Sequence, residues 1–109
     1  MIRLFAILLA FLSWPASAET LGVRSGDHAG FSRLLLDGDI GLGWSIGRVD
    51  GGFEFRPERE DLSWELSRVY DRISRDRIRA VEDRGAGRLF VEVSCSCHAD
   101  AFVLRDGQV

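Results

Sequence analysis

The sequence predicts a mainly β fold: a small antiparallel β-sandwich or sheet with one amphipathic helix packed on it, so an α+β arrangement stays open. Three observations carry this. Alternating apolar and polar residues recur at Leu42–Ile46, Phe53–Phe55 and Arg88–Ser94, the period-2 signature of half-buried strands. Asp50-Gly51 lies between the first two, and this dipeptide favours a two-residue hairpin turn. One stretch alone, Leu62 to Ser74, spaces its apolar residues as a helix does.

Before the first strand comes an address. Met1-Ile2-Arg3 is a short positive start, Leu4 to Leu12 is apolar, Pro15 follows, and Ala16-Ser17-Ala18 is an A-x-A tripeptide. These are the parts of a secretory signal peptide. The apolar run is too short for a membrane span, which needs ~20 residues. Cleavage after Ala18 makes Glu19 the mature start and leaves one small domain, residues 19–109. All 17 acidic residues belong to it, against 13 of the 14 arginines, for a net charge of −4. That balance argues against nucleic acid and against binding anionic membranes by charge alone. Every basic residue is Arg, and the chain holds no Lys or Asn. This reads as a GC-rich bacterial genome, and an exported bacterial protein is expected in the periplasm or outside the cell.

The elements follow in order. Leu21–Arg24 is a short first strand, and Ser25–Gly30 is turn-rich and reads as a loop. Phe31–Asp37 is the second strand, and its Leu34-Leu35-Leu36 run suggests burial on both faces near its end. In the hairpin, a type I′ turn at Asp50-Gly51 would set Val49 opposite Gly52 and Ile46 opposite Phe55. Trp44, Ile46, Phe53 and Phe55 then share one face, and a one-residue slip would expose two Phe rings. Pro57 ends the strand. Asp61 can cap a helix over Leu62–Ser74, with Leu62, Leu66, Val69, Tyr70 and Ile73 on its buried face. Trp64 falls off that stripe and is open to two readings, packing at the helix–sheet edge or exposure for stacking on a sugar or a partner. Arg77–Glu82, Arg88–Ser94 and Ala101–Arg105 are further strands, with Gly85-Ala86-Gly87 as a turn. Asp106-Gly107 is a second hairpin signal two residues before the chain stops at Val109. A turn with almost no return strand leads to the expectation of a truncated product or the first piece of a longer protein.

Chemistry has one focus, Ser94-Cys95-Ser96-Cys97-His98. Three readings stand. A Cys95–Cys97 disulfide suits an oxidising compartment, but needs a bend at Ser96, because Cβ atoms at i and i+2 of an extended strand are too far apart. Cys95, Cys97, His98 and the distant His28 form a Cys₂His₂ metal set by type, though not with a standard zinc spacing. In the phase of Leu89, Val91 and Val93, both cysteines could instead be buried thiols. A Cys95–His28–Asp27 catalytic set can be drawn, as it can in any chain of this size. There is no G-x-S-x-G, H-E-x-x-H or glycine-rich phosphate loop. No catalytic residue and no cofactor is assigned.

Leu21-Gly22-Val23-Arg24 followed by Phe31-Ser32-Arg33-Leu34-Leu35-Leu36-Asp37 resembles the opening of an AMIN-type domain. Such domains pair a basic first strand with a strand of aromatic, Arg, hydrophobic triplet and Asp. The resemblance covers Leu21 to Phe55. The Leu62–Ser74 helix and the Cys-x-Cys-His segment depart from it. The chain is also similar to the N-terminal part of secreted alphaproteobacterial proteins. The AMIN resemblance implies a non-catalytic β-sandwich that directs envelope enzymes or secretins to cell-wall or division-site structures. The expected function is therefore an exported envelope targeting or interaction module, with cell wall or an envelope protein as partner. The alternative is a periplasmic metal-binding or redox protein using Cys95, Cys97 and His98.

Overall fold

Most strands of this chain alternate apolar and polar side chains over part of their length, which gives each at least one face to bury. In the computed structural model, which describes residues 19–38, 40, 43–103 and 109, they form two sheets. The first has three strands: β1 (Glu19–His28), β2 (Phe31–Leu36) and β5 (Leu62–Glu65), in the order β2-β1-β5. The second has four: β3 (Trp44–Val49), β4 (Gly52–Pro57), β6 (Ile78–Gly85) and β7 (Arg88–Val93), in the order β3-β4-β7-β6. All pairings are antiparallel except β1 with β5.

One cluster takes the apolar faces of both sheets. Leu21, Val23, Leu36, Leu62 and Trp64 come from the first, and Phe55, Ile78 and Leu89 from the second. Phe55 meets Trp64 edge to face across the gap, with ring centroids 6.1 Å apart. Fully burying one such side chain contributes about 1.5–3 kcal/mol. A register shift between Ile78 and Ala80 lets Ile78 and Val81, an odd number of residues apart, both pack on this cluster.

The β3–β4 hairpin has the register expected from sequence, with Val49 opposite Gly52 and Ile46 opposite Phe55. Its turn differs. Positive φ occurs at Gly51 (88°) but not at Asp50, whereas type I′ needs it at both. The β6–β7 turn does satisfy that rule. Gly85 pairs with Arg88, and the two central residues, Ala86 and Gly87, have φ of 54° and 79°.

Three further expectations are corrected. The Leu62–Ser74 helix is absent. Leu62 and Trp64 are buried while Ser63 and Glu65 are not, and this strand alternation aligns Leu21 with Trp64 along β1. A helix would have carried Trp64 away from the core. In the strand it is buried, and its indole N–H donates to the Gly87 carbonyl at 2.9 Å. After Glu65 the chain makes turns closed by Val69 N–H to Leu66 O and Asp71 N–H to Arg68 O. Ser74 assists, as a serine side chain competes with a helical backbone: its hydroxyl accepts from the Asp76 N–H at 3.2 Å. Val69 and Ile73 still reach the core from these turns, so the apolar spacing reported burial rather than helix.

The first strand is longer than Leu21–Arg24, running to His28 with only Ala29-Gly30 as its turn, so Ser25–His28 is not loop. Residues 101–103 are not in a strand. The expected signal peptide, Leu42 and the Asp106-Gly107 turn lie outside the described residues.

Candidate functional site

β7 ends at Val93, and with it the alternation that would have carried Cys95 and Cys97 into the core. The two cysteines are bridged as a disulfide, with Cα atoms 5.1 Å apart. An extended pair two residues apart would span about 6.6 Å, so the backbone bends at Ser96. The bend is tied down locally. The Ser94 N–H donates to Arg77 O at 3.0 Å, and the Ser94 hydroxyl donates to the Asp76 carbonyl. Arg48 lies over the Phe53 ring at 4.7 Å and donates from Nη2 to the Cys97 carbonyl at 2.5 Å. So small a loop removes little entropy from the unfolded chain. Its effect is to shape the segment that crosses Arg48.

The other residues singled out from sequence do not converge on this bridge. His98 is exposed. His28 sits at the far end of β1, stacked on Phe31 with centroids 4.6 Å apart. Among the described residues no group of three or more His, Cys, Asp or Glu side chains could hold a metal ion. Asp27 and His28, adjacent on a strand, point to opposite faces. Asp27 accepts from the Ser32 hydroxyl at 2.6 Å and lies 3.7 Å from Arg77.

A charged surface groove lies elsewhere, beside β1. β5 pairs only with Glu19–Gly22 of β1. Beyond Gly22 the chain that would have continued β5 turns away, and its 66–72 segment docks through the Ser25 hydroxyl, which donates to the Val69 carbonyl. The step between this segment and the second half of β1 is a cavity of about 340 Å³. Four arginines line it: Arg24 and Arg33 from the paired strands β1 and β2, Arg68 and Arg72 from the turns. His28 and one carboxylate, Asp71, complete the charged rim.

Register explains the first pair. Arg24 faces Leu35 and Gly26 faces Arg33, so the two arginines are diagonal neighbours on one face. Asp37 grips Arg24 with both oxygens, Nε to Oδ2 at 2.9 Å and Nη2 to Oδ1 at 2.7 Å. That contact raises the guanidinium pKa above its ordinary value, first through the hydrogen bond and then through the charge. Arg68 has Asp71 at 3.5 Å. Arg33 and Arg72 have no carboxylate partner among the described residues. Sequence reading passed over this groove because the arginines are scattered among acids. The legible signal was the shared outward phase of Arg24 and Arg33; the contribution of Arg68 and Arg72 was hidden by the expected helix.

Among the described residues no helix is long and apolar enough to cross a membrane. Comparison with family models, with curated proteins and with solved structures returned no match.

Proposed function

We propose that this chain is an exported, non-catalytic interaction module of the bacterial cell envelope. The observation that carries the reading is the arginine-lined groove on the outer side of β1, a concave charged surface set apart from the shared core. Its polar rim suits holding a ligand. Three sequence features support the location: the signal-like start, a cysteine pair suited to an oxidising compartment, and the AMIN-like succession of Leu21–Arg24 and Phe31–Asp37. In this reading the 19–109 domain is a small β-sandwich that brings an envelope component or partner protein to its place.

The test is intact-mass spectrometry, with thiol labelling, of the tagged protein from a fractionated bacterial host. The expected species is periplasmic or secreted, lacks residues 1–18, and resists thiol labelling until reduced. Full-length protein confined to the cytoplasm would overturn the reading. Two free thiols with a bound metal lost on denaturation would replace it with the metal-centred alternative at Cys95, Cys97 and His98.

A further inference from the structure

We infer that the groove between β1 and the 66–72 turns binds a small ligand carrying at least two oxyanion groups, phosphate or carboxylate. The inference rests on the interaction-module reading and gives its ligand a chemistry.

Charge is the first argument. The chain as a whole is acidic, at −3, yet four guanidinium groups line this one cavity, and only two of them are matched, Arg24 by Asp37 and Arg68 by Asp71. A concave site with an excess of one sign concentrates counter-ions from solution. Arg33 and Arg72 bring uncompensated charge, since neither pairs with a carboxylate among the described residues. Elsewhere Arg56, Arg59, Arg77, Arg79 and Arg84 each have a carboxylate, and Arg48, Arg75 and Arg88 donate to backbone carbonyls.

Geometry is the second argument. Arg33 and Arg72 reach the cavity from different elements, strand β2 and the 66–72 turns. Each guanidinium presents a planar fork of donors that matches one carboxylate or phosphate group in a two-point contact. Arg24, already held in place by Asp37, is a pre-oriented cation on the same wall. The strand edge adds one backbone donor. The Asp37 N–H donates to the Gly22 carbonyl, so Gly22 faces β2. Alternation then turns the amide of Ser25 towards the other edge, where no strand pairs with β1 beyond Gly22 among the described residues. A cavity of about 340 Å³ suits a compact ligand with two charged ends rather than a long polymer.

The small crevice formed by Asp27, Ser32, Ser74, Asp76 and Arg77 is different. Its charged groups already bond one another, with Ser32 donating to Asp27 and Arg77 donating to Ser32 at 3.3 Å.

The test is calorimetric titration of the purified protein with inorganic pyrophosphate and, separately, with citrate, at about 20 mM salt and again near 0.15 M. At least one probe is expected to bind one-to-one and to weaken with salt. Tighter pyrophosphate would identify a phosphate ligand, and tighter citrate a polycarboxylate. Arg33→Gln with Arg72→Gln should weaken the better probe at least about tenfold, roughly 1.4 kcal/mol. The thermal midpoint should not move, because both side chains are exposed. Arg79→Gln with Arg88→Gln removes the same charge from the other sheet and should leave binding intact. The inference is overturned if neither probe binds, if the Arg33/Arg72 pair binds like the parent, or if both pairs weaken binding equally. This outcome is independent of where the protein resides, so its failure is separable from failure of the export test.

Discussion

The outer faces of the two sheets are built from the same materials, arginines and acids around a phenylalanine, yet they end in opposite states. On the four-stranded sheet Phe90 lies opposite Glu54 and Glu82 on its neighbouring strands and is only 5% exposed. Arg84 lies over its ring at 4.0 Å, and Arg56 and Arg84 each bond an acid two residues away on the same strand. Residues at i and i+2 share a face, so these ion pairs form a lid whose aliphatic stems cover the ring. On the three-stranded sheet Phe31 is 48% exposed, Arg33 is 5.9 Å from its ring, and Arg33 has no acid to hold it. One face has used its charges to seal itself. The other leaves charge directed at a cavity. The difference teaches that an arginine's role here is set by whether a carboxylate occupies the next position on its face.

The largest expected effect tests how tightly the sealed face is built. A Cβ added at Gly52 would lie 1.9 Å from the Val91 carbonyl oxygen, on backbone that cannot move aside without breaking the β4–β7 ladder. Gly52→Ala is therefore expected to lose on the order of 3 kcal/mol, the upper range for overpacking. The midpoint of urea unfolding measures this, and an unchanged midpoint would mean the two strands are not in this register.

Next comes the aromatic pair. Phe90→Ala should cost about 1.5–3 kcal/mol, the value of burying one Phe side chain, despite its place on an outer face. Phe31→Ala should stay within about 0.5 kcal/mol. Equal effects in thermal unfolding would break the contrast.

The smallest effect is in acid. The hydrogen bond from Arg56 holds the Glu54 carboxyl below its ordinary pKa, with help from the charges of Arg56, Arg88 and Arg84. A depressed folded pKa gives stability that is present above the unfolded value and is lost as pH falls through the folded one. Stability should thus fall modestly from about pH 5 towards pH 3, and Glu54→Gln should flatten part of that slope. Arg33→Gln, with no carboxylate to lose, should leave the slope unchanged.

Much of the β architecture was legible because it is local. Phe53 and Phe55 alternate with Glu54 and Arg56, and Asp50-Gly51 can only return the chain on itself, so register followed from pattern and turn. The misreading at Leu62–Ser74 has an equally local origin. Leu62, Leu66, Val69, Tyr70 and Ile73 satisfy helical spacing, while Leu62 and Trp64 satisfy strand spacing, and a single sequence contains both. The edge of β1 decided between them by offering Leu62–Glu65 a parallel partner, and the Gly87 carbonyl gave the Trp64 indole its acceptor. Neither was visible from the segment itself. The groove was legible only in part, since Arg24 and Arg33 share an outward phase while Arg72 lines the same cavity from a segment far along the chain.

By itself, then, the sequence determined the β3–β4 hairpin and its register, the β6–β7 turn and the alternation along β7, because periodicity and turn chemistry act over a few residues. Only the tertiary structure decided that two sheets share one core, that Trp64 belongs inside it, and that Phe90 is sealed while Phe31 is not. It also decided that four arginines line one cavity. Those outcomes depend on contacts between distant segments, which compete for the same residues and are settled by whichever packing buries the most apolar surface with every polar group satisfied.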